Sequence, residues 1–326
     1  MTSHHDFDII SVGYIILNYR LSSWGGCPTP RVPCRPSGGA GRGAALLSYA
    51  DAIRPPTPPA RLGYTIIYNE ERVGYMNFNN DSMYHIGLRP SDSARAAIIC
   101  GDPGRVEKIA RLMDEPKFVA SKREYTTWSA KVDGERVLVV SHGIGGPSTA
   151  ICIEELHMIG VDTLIRVGTC GGMNMEVKTG DLVIAQAAIR AEGTSREYLP
   201  VEYPAVADFG VTMALREAAI TANRPNHVGV VHCKDSFYGQ HSPERMPVCD
   251  ELASKWKAWL RGGCLASEME TAALFTVSAT LEMHAGCVLR AVWNQERVNA
   301  GITDPDDGDE LSAARCAILA VKSLLK

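Results

Sequence analysis

Arginine and hydroxyl side chains follow two apolar runs of the sequence, and each run is succeeded by glycines. Arg166 and Thr169 lie in the segment IRVGTCGG, and Arg105 lies in GDPGRV, which follows the apolar run Ala96–Cys100. Guanidinium groups, a hydroxyl and exposed backbone N–H groups are the donors that bind an oxyanion such as phosphate. The sequence therefore predicts a phosphate site in which Gly101, Arg105, Arg166 and Thr169 meet.

A strand–loop–helix–strand unit positions Arg166 and Thr169. Val137–Val140 is a continuous apolar run, which is typical of a strand buried on both faces. The glycine-rich loop 143–146 and Pro147 then precede the apolar stripe of a helix that ends at Gly160. Thr163–Val167 is the next strand, and we expect a glycine turn after it. Such units build parallel sheets that bind ligands at the carboxyl ends of their strands, so we expect an α/β fold.

The chain from Met83 onward alternates strands and helices around one mixed sheet. Further strands are expected at 96–100, 118–120, 126–132, 182–191, 227–233, 264–266 and 285–292, and helices after 103 and at 212–222, 249–260, 271–283 and 310–325. Asp133-Gly134 predicts a two-residue hairpin turn. Residues 1–82 differ, because 21–60 hold eight of the 18 prolines and six of the 30 glycines. We expect 1–82 to be a disordered extension and 83–326 to be the catalytic domain.

The overall composition excludes several classes of function. A hydrophobic content of 45% and a charged content of 21% are ordinary for a globular protein of 326 residues. The net charge of −4 does not favour nucleic acid or a membrane surface as a partner. The ten cysteines are scattered without a CxxC pair, so we expect free thiols and a cytoplasmic protein. No apolar run approaches the roughly 20 residues of a membrane span.

Three rival chemistries lack their sequence patterns. A dinucleotide-binding loop starting at Gly143 would need its third glycine where Ser148 stands, and no acidic residue ends the next strand. The nine histidines show neither HxxxH nor HExxH spacing, so metal-dependent hydrolysis is not indicated. Ser148 also has no nucleophile elbow around it, which argues against acyl transfer.

The motifs GDPGRV, KREYTTW, GIGGPST, IRVGTCGG, FYGQ and EME occur in this order between about Tyr84 and the C-terminus. Together they resemble the uridine phosphorylase branch of the trimeric and hexameric nucleoside phosphorylase family. The resemblance implies a three-layer α/β/α fold with a mixed, partly barrel-like central sheet. It also implies a pentosyltransferase of pyrimidine nucleoside salvage, which converts uridine and phosphate reversibly to uracil and ribose 1-phosphate. Phosphate is then a co-substrate, and no cofactor is required.

The resemblance assigns contacts to the phosphate and the ribose. Phosphate would be bound by Gly101, Arg105, Arg166 and Thr169, and by Arg123 entering from the neighbouring subunit. Glu270 would accept hydrogen bonds from the ribose hydroxyls and stabilise the positive charge that develops on the sugar. Met269 would pack on the sugar, and His85 would reach the 5′-hydroxyl of the neighbour's ribose.

The base pocket is also implied by the resemblance. Gln240 would pair with O2 and N3–H of uracil, because an amide offers one acceptor and donors. Arg245 would bind O4 and stabilise the departing uracil anion, Arg297 would be a second base-site arginine, and Phe237 would stack on the base. Two features depart from the family pattern. Residues 241–243 lengthen the spacing from glutamine to arginine, and the later arginine is displaced to position 297.

Two alternatives remain open at this point. Purine-cleaving relatives carry an aspartate in the late strand–loop, where this chain reads Ala291-Val292-Trp293-Asn294. No acid stands at that position, so a purine nucleoside phosphorylase ranks second, behind the uridine enzyme. The third candidate, a non-catalytic nucleoside-binding homologue, would have lost part of the arginine set, which is complete here.

The resemblance also implies assembly of several subunits. If Arg123 and His85 serve a neighbour, the protein must be at least a homodimer, and the family builds hexamers as trimers of dimers. Family members hold a structural cation at the dimer interface. The matching residues are Glu124, the backbone carbonyl of Ile144, and Ser148. Oxygen ligands of this kind suit a hard cation.

Overall fold

The computed structural model describes residues 82–326, so the predicted disordered extension lies outside the described residues except for Ser82. The described strands are β1 (Ala96–Cys100), β2 (Asp114–Lys122), β3 (Tyr125–Val132), β4 (Glu135–Ser141), β5 (Thr163–Gly172), β6 (Leu182–Ala191), β7 (Ala205–Val206), β8 (Asn226–Lys234), β9 (Ala266–Glu268) and β10 (His284–Asn294). The helices are α1 (Pro103–Ala110), α2 (Gly146–Met158), α3 (Thr194–Tyr198), α4 (Phe209–Thr221), α5 (Phe237–His241), α6 (Cys249–Arg261), α7 (Thr271–Thr280), α8 (Gln295–Asn299) and α9 (Ser312–Leu324). Pro90–Asp92 and Pro243–Arg245 form short 3-10 helices.

The strands form one mixed sheet that is partly closed on itself. Their order is β10-β6-β8-β9-β5-β1-β4-β3-β2, and β7 adds to the side of β6. Because β10 also pairs with β5, the strands β10, β6, β8, β9 and β5 close into a ring. The remaining strands extend from β5 as an open, twisted wing. The predicted mixed, partly barrel-like sheet is therefore confirmed.

Helices cover both faces of this sheet. Side chains alternate along β1, so that Ala97 and Ile99 join one buried apolar cluster, while Ile98 and Cys100 join another. Helices α2 and α7 pack on the first cluster, and α1, α4 and α9 pack on the second. Burial of both clusters stabilises the fold at about 25 cal/mol per Å² of apolar surface. The predicted three-layer α/β/α arrangement is confirmed.

The prediction of a glycine turn after Thr163–Val167 is wrong. Strand β5 continues through Gly172, pairs with β10 as far as Asn294, and pairs with β9 at its end. These glycines are needed for close approach rather than for a turn. A Cβ atom at Gly168 would lie 1.9 Å from Nη1 of Arg166, and one at Gly172 would lie 2.6 Å from Nδ2 of Asn294.

Other local expectations are confirmed with small changes. Asp133 and Gly134 have φ angles of 51° and 89° and connect β3 directly to β4, as a type I′ turn requires. The strand predicted at 264–266 begins instead at Ala266 and extends to Glu268. The loop predicted at 235–247 contains α5 and a 3-10 helix. No helix of residues 82–326 combines the length and the apolar character that crossing a membrane requires.

Candidate active site

A cavity of about 740 Å³ lies at the carboxyl ends of β1, β5 and β8 and beside the start of α7. The structure brings seven of the predicted phosphate, ribose and base residues to its wall: Gly101, Arg105, Arg166, Thr169, Phe237, Met269 and Glu270. They come from four separate segments of the chain, and the parallel strands β1 and β5 place the first four together. The cavity is large enough for a nucleoside and an anion.

Arg166 is a deeply buried charged group of this wall, with 4% of its surface exposed. Its Nη2 donates to the carboxylate of Glu270 and lies 3.2 Å from Oε2 of Glu268. Burial by itself would lower the pKa of Arg166, but the two carboxylates outweigh burial and raise its pKa above the ordinary value. Its Nε and Nη1 have no hydrogen-bond partner among the described residues. A buried charged donor without a partner is costly, so this guanidinium is suited to bind an anion.

Two carboxylates at the start of α7 face Arg166. Glu268, at the end of β9, accepts hydrogen bonds from the backbone N–H groups of Glu270 at 2.9 Å and Thr271 at 3.0 Å. Glu270 accepts a hydrogen bond from the N–H of Gly145 at 2.7 Å. Burial would raise the pKa of Glu270, but the guanidinium of Arg166 has the opposite effect, and its pKa is lowered. Glu270 is therefore ionised at neutral pH.

The loop before α2 closes one side of the cavity. Gly143 has a φ of +73°, and a Cβ there would lie 2.9 Å from both Cγ of Glu124 and Oγ of Ser148. Only glycine combines this left-handed backbone with such close neighbours. His142 lies behind the loop, where burial lowers its pKa to about 3. The histidine next to Arg166 and Glu270 is thus neutral and adds no competing charge.

The close approach of Gly168 to Arg166 yields a testable prediction. In Gly168→Ala, the new methyl group displaces the guanidinium, because the Cβ would lie 1.9 Å from Nη1. We expect kcat/KM for the phosphorolysis that the resemblance implies to fall by about 10²-fold, in line with the loss of one positioned anion donor. Steady-state kinetics with phosphate as the varied substrate measure this effect.

Gly193→Ala is the matched control for that substitution. A Cβ at Gly193 would meet its nearest atom, Oδ2 of Asp235, at an ordinary 3.7 Å. Its φ of −88° is also open to alanine. Unchanged kinetics in Gly168→Ala would show that the glycine is not required to position Arg166.

Lys234 is a cavity residue that sequence reasoning missed. It ends β8 with 7% of its surface exposed, and its Nζ donates to Oγ of Ser267 at 2.8 Å. Ser267 in turn donates to Oε1 of Gln240 at 2.5 Å. Burial lowers the pKa of Lys234, although Glu268 acts in the opposite direction. No motif marks this lysine, because its role depends on the fold that places the end of β8 at the cavity.

The other predicted base-site residues lie in different places. Phe237 lines the cavity, with its ring centroid 6.0 Å from Nζ of Lys234. Gln240 lines an adjacent cavity of about 440 Å³, which also touches Lys234. Arg245 is exposed, and its guanidinium lies 5.9 Å from the ring of Tyr238. The structure therefore does not bring Arg245 to the wall of the large cavity.

Arg297 also lies away from the large cavity. Its Nε and Nη2 each donate to Asp304 at 2.7 Å, and its Nη1 donates to the carbonyl oxygen of Met175 at 2.7 Å. These contacts occupy the guanidinium in a two-point ion pair that fixes the loop after α8. The displaced spacing in the sequence thus corresponds to a displaced position in space.

An aromatic group lies on the wall of the cavity around Phe237. His241, the first residue of the three that lengthen the glutamine–arginine spacing, has its ring 4.3 Å from Phe237 and 5.3 Å from Trp293. All three side chains line the cavity. Burial and, secondly, the nearby Lys234 lower the pKa of His241, so its imidazole is neutral at pH 7. His241 and Trp293 were not predicted as site residues.

The residues expected to serve a neighbouring subunit do not line the cavity of their own chain. Arg123 is exposed on the β2–β3 turn, with a φ of 56°. His85 lies next to Glu155, with its Nδ1 2.6 Å from Oε1 of that residue. Of the predicted cation ligands, Glu124 and Ser148 are in contact, with Oγ donating to Oε1 at 2.9 Å. Ile144 is 78% exposed beside them.

Residues 95–326 match the family model described as "Phosphorylase superfamily", and the chain belongs to this family. It is 50% identical over 248 residues to a uridine phosphorylase of Treponema pallidum, covering 76% of this chain and 96% of the relative. A uridine phosphorylase of Thermococcus kodakarensis is 44% identical over 243 residues, covering 74% and 86%. A guanosine phosphorylase of Halorubrum lacusprofundi is 38% identical over 223 residues, covering 68% and 88%.

Proposed function

We propose that the protein is a uridine phosphorylase, a pentosyltransferase that converts uridine and phosphate reversibly to uracil and (deoxy)ribose 1-phosphate in pyrimidine nucleoside salvage. The observation that carries this proposal is the arrangement of charges in one cavity. A buried guanidinium, whose Nε and Nη1 have no partner among the described residues, lines this cavity together with an ionised carboxylate and a buried lysine. Similarity to curated uridine phosphorylases supports the same reaction.

Phosphate binds at the end of the cavity formed by β1 and β5. Arg105 and Arg166 provide charged donors, Thr169 provides a hydroxyl, and Gly101 provides a backbone N–H. Together they hold the dianion against the anomeric carbon, so that one phosphate oxygen attacks C1′. Arg123 of the partner subunit completes this set. Its exposed position on the β2–β3 turn supports that role.

The ribose lies over Glu270 and Met269. Since Glu270 is ionised, it accepts hydrogen bonds from the ribose hydroxyls and stabilises the positive charge on the sugar as the C1′–N1 bond breaks. Arg166 contacts both Glu270 and the phosphate site, so it couples the position of the sugar to that of the attacking anion. Met269 lines the cavity beside Glu270 and packs on the sugar.

The base leaves as an anion, because the electron pair of the C1′–N1 bond moves onto uracil. Lys234 is a buried cation that lines the same cavity, and we assign to it the charge stabilisation that the family resemblance gave to Arg245. Gln240 pairs with the O2 and N3–H edge after its hydrogen bond from Ser267 rearranges. Phe237 forms one wall of the base site. A fixed cation of this kind replaces a general acid.

Assembly, cation binding and location belong to the same proposal. His85 and Arg123 serve the neighbouring subunit of a homodimer, or of a hexamer built from such dimers. Glu124, Ser148 and the Ile144 carbonyl hold a structural cation, and the contact between Glu124 and Ser148 supports this set. No metal or other cofactor takes part in the reaction. The cytoplasmic location rests on the scattered cysteines of the sequence.

Purine phosphorolysis is the second candidate, and the similarity to a guanosine phosphorylase favours it. A purine base departs most readily when an acid protonates N7. Trp293 lines the cavity here, and the neighbouring Val292 and Asn294 offer no acid. The chemistry of this wall therefore supports uridine over a purine nucleoside.

Release of uracil from uridine, with and without phosphate, tests the proposal. We expect release only when phosphate is present, because nothing else in the cavity supplies the nucleophile, and we expect inosine to react at least 10²-fold more slowly, as ~3 kcal/mol of lost leaving-group stabilisation implies. Absorbance spectroscopy or chromatography measures both reactions. Phosphate-independent release would identify a hydrolase, inosine cleavage alone would identify a purine enzyme, and binding without turnover would identify a binding protein.

A further inference from the structure

A buried carboxylate in α2 holds the segment that carries His85. Glu155 is 5% exposed, and both of its oxygens accept the backbone N–H of His85 at 3.0 Å. Oε2 also accepts the N–H of Ile86 at 2.8 Å, and Oε1 lies 2.6 Å from Nδ1 of the His85 ring. Glu155 thus fixes both the backbone and the ring of one residue, 70 positions earlier in the chain.

These contacts determine which ring nitrogen of His85 is free. Both oxygens of Glu155 already act as acceptors, so the ring atom that faces them carries a proton. In the neutral imidazole, Nε2 is then an acceptor, directed away from Glu155. A hydroxyl group is a suitable donor to such an atom. The carboxylate therefore selects the tautomer of the histidine as well as its position.

We propose that Glu155 is a positioning residue for the ribose 5′-hydroxyl. It holds His85 so that Nε2 accepts a hydrogen bond from the 5′-hydroxyl of the nucleoside bound by the partner subunit. This inference rests on the proposed function, since it assumes that the nucleoside is the substrate and that His85 reaches it. What it adds is a second residue, remote from the cavity, that controls recognition of the 5′ position.

Uridine and 5′-deoxyuridine, which lacks the 5′-hydroxyl, provide the test. In the native enzyme, we expect kcat/KM to be about tenfold higher for uridine, as one hydrogen bond predicts. In Glu155→Gln, an NH₂ group replaces one carboxylate oxygen and cannot accept the hydrogen bonds that this oxygen accepts from the ring and backbone of His85. The ring and its backbone therefore lose their fixed position. We expect this ratio to approach one in Glu155→Gln, in His85→Ala and in the double variant alike, because kcat/KM for uridine falls toward the value for 5′-deoxyuridine.

Glu154→Gln is the matched control, because Glu154 lies on the same helix and makes none of the contacts with His85. A Glu155→Gln enzyme that reacts more slowly with both substrates, at an unchanged ratio, would overturn the proposal and leave a purely structural role. An unchanged ratio in His85→Ala would show that His85 does not contact the 5′-hydroxyl, and this would also overturn the proposal. Phosphate-dependent cleavage of uridine would still support the proposed function in that case. If the native enzyme cleaves no uridine, the proposed function and this inference fail together.

Discussion

The variant Arg166→Gln is expected to lower kcat/KM for uridine phosphorolysis by about 10³-fold, the upper range for loss of one preorganised donor to an anion. In the proposed reaction, Arg166 binds phosphate through Nε and Nη1, which have no partner among the described residues, and orients Glu270 through Nη2. Its removal therefore affects the nucleophile and the sugar together. Steady-state kinetics with phosphate and uridine varied in turn measure this loss.

The same variant should also be less stable. Removing one partner of a buried ion pair costs about 3–5 kcal/mol, because the other charge is left without compensation. Here both Glu268 and Glu270 would lose their cation, and urea denaturation measures the change. Arg166→Gln combined with Glu270→Gln should recover part of this stability without recovering activity.

Arg95→Gln is the matched control for Arg166→Gln. The Arg95 side chain is 61% exposed, and its Nε lies 3.5 Å from Oδ2 of Asp162 on the surface. Both the activity and the free energy of unfolding should stay close to those of the native protein. Arg166→Gln with native kinetics for phosphate would contradict the placement of the anion site.

The second large effect is expected from Lys234→Met. Methionine fills a similar volume without the charge, so the uracil anion would lose its nearest cation. We expect kcat to fall by about 10²-fold, as the loss of one positioned cation implies. Lys131→Met is the control, since the Lys131 side chain is 41% exposed and pairs with Glu115. An equal loss of kcat in both variants would show that Lys234 has no specific role in the site.

The pH dependence of the native enzyme tests the same residue. Only protonated Lys234 carries the stabilising charge, and burial lowers its pKa. Activity should therefore decline as the pH rises through this lowered pKa, at a lower pH than an ordinary lysine would give. Arginine stays charged over this range, so Lys234→Arg should lack the decline. A decline that persists in Lys234→Arg would assign it to another group.

Sequence reasoning predicted features that depend on neighbours along the chain. The buried strand at Val137–Val140 and the turn at Asp133-Gly134 follow from local hydrophobicity and turn chemistry. The grouping of Gly101, Arg105, Arg166 and Thr169 around one cavity was also predictable, because parallel strands bring the ends of β1 and β5 together wherever they occur. The same local reasoning failed at Gly168–Gly172. There the glycines make room for side chains that come from β5 itself and from β10.

The remaining site residues depend on contacts between distant segments. Lys234 lies 33 positions from Ser267, and Arg166 lies 104 positions from Glu270. No local pattern marks a lysine as buried at a cavity. The spacing around Arg245 and Arg297 did signal a departure from the family pattern, and the structure places both guanidinium groups on other partners. A departure in spacing was thus informative even though Lys234, which we propose as the replacement, could not be named.

Different segments of the chain supply the proposed phosphate contacts and the proposed base contacts of the cavity. Strand β5 belongs both to the ring and to the open wing, and the donors proposed for phosphate lie on β5, directly after β1 and on α1. The groups proposed for the base lie on β8 and α5, which are separate segments of the chain. Mutations in one segment can therefore accumulate without disturbing the other. An ancestral enzyme of this architecture could exchange one nucleobase for another while the sugar–phosphate chemistry was inherited intact.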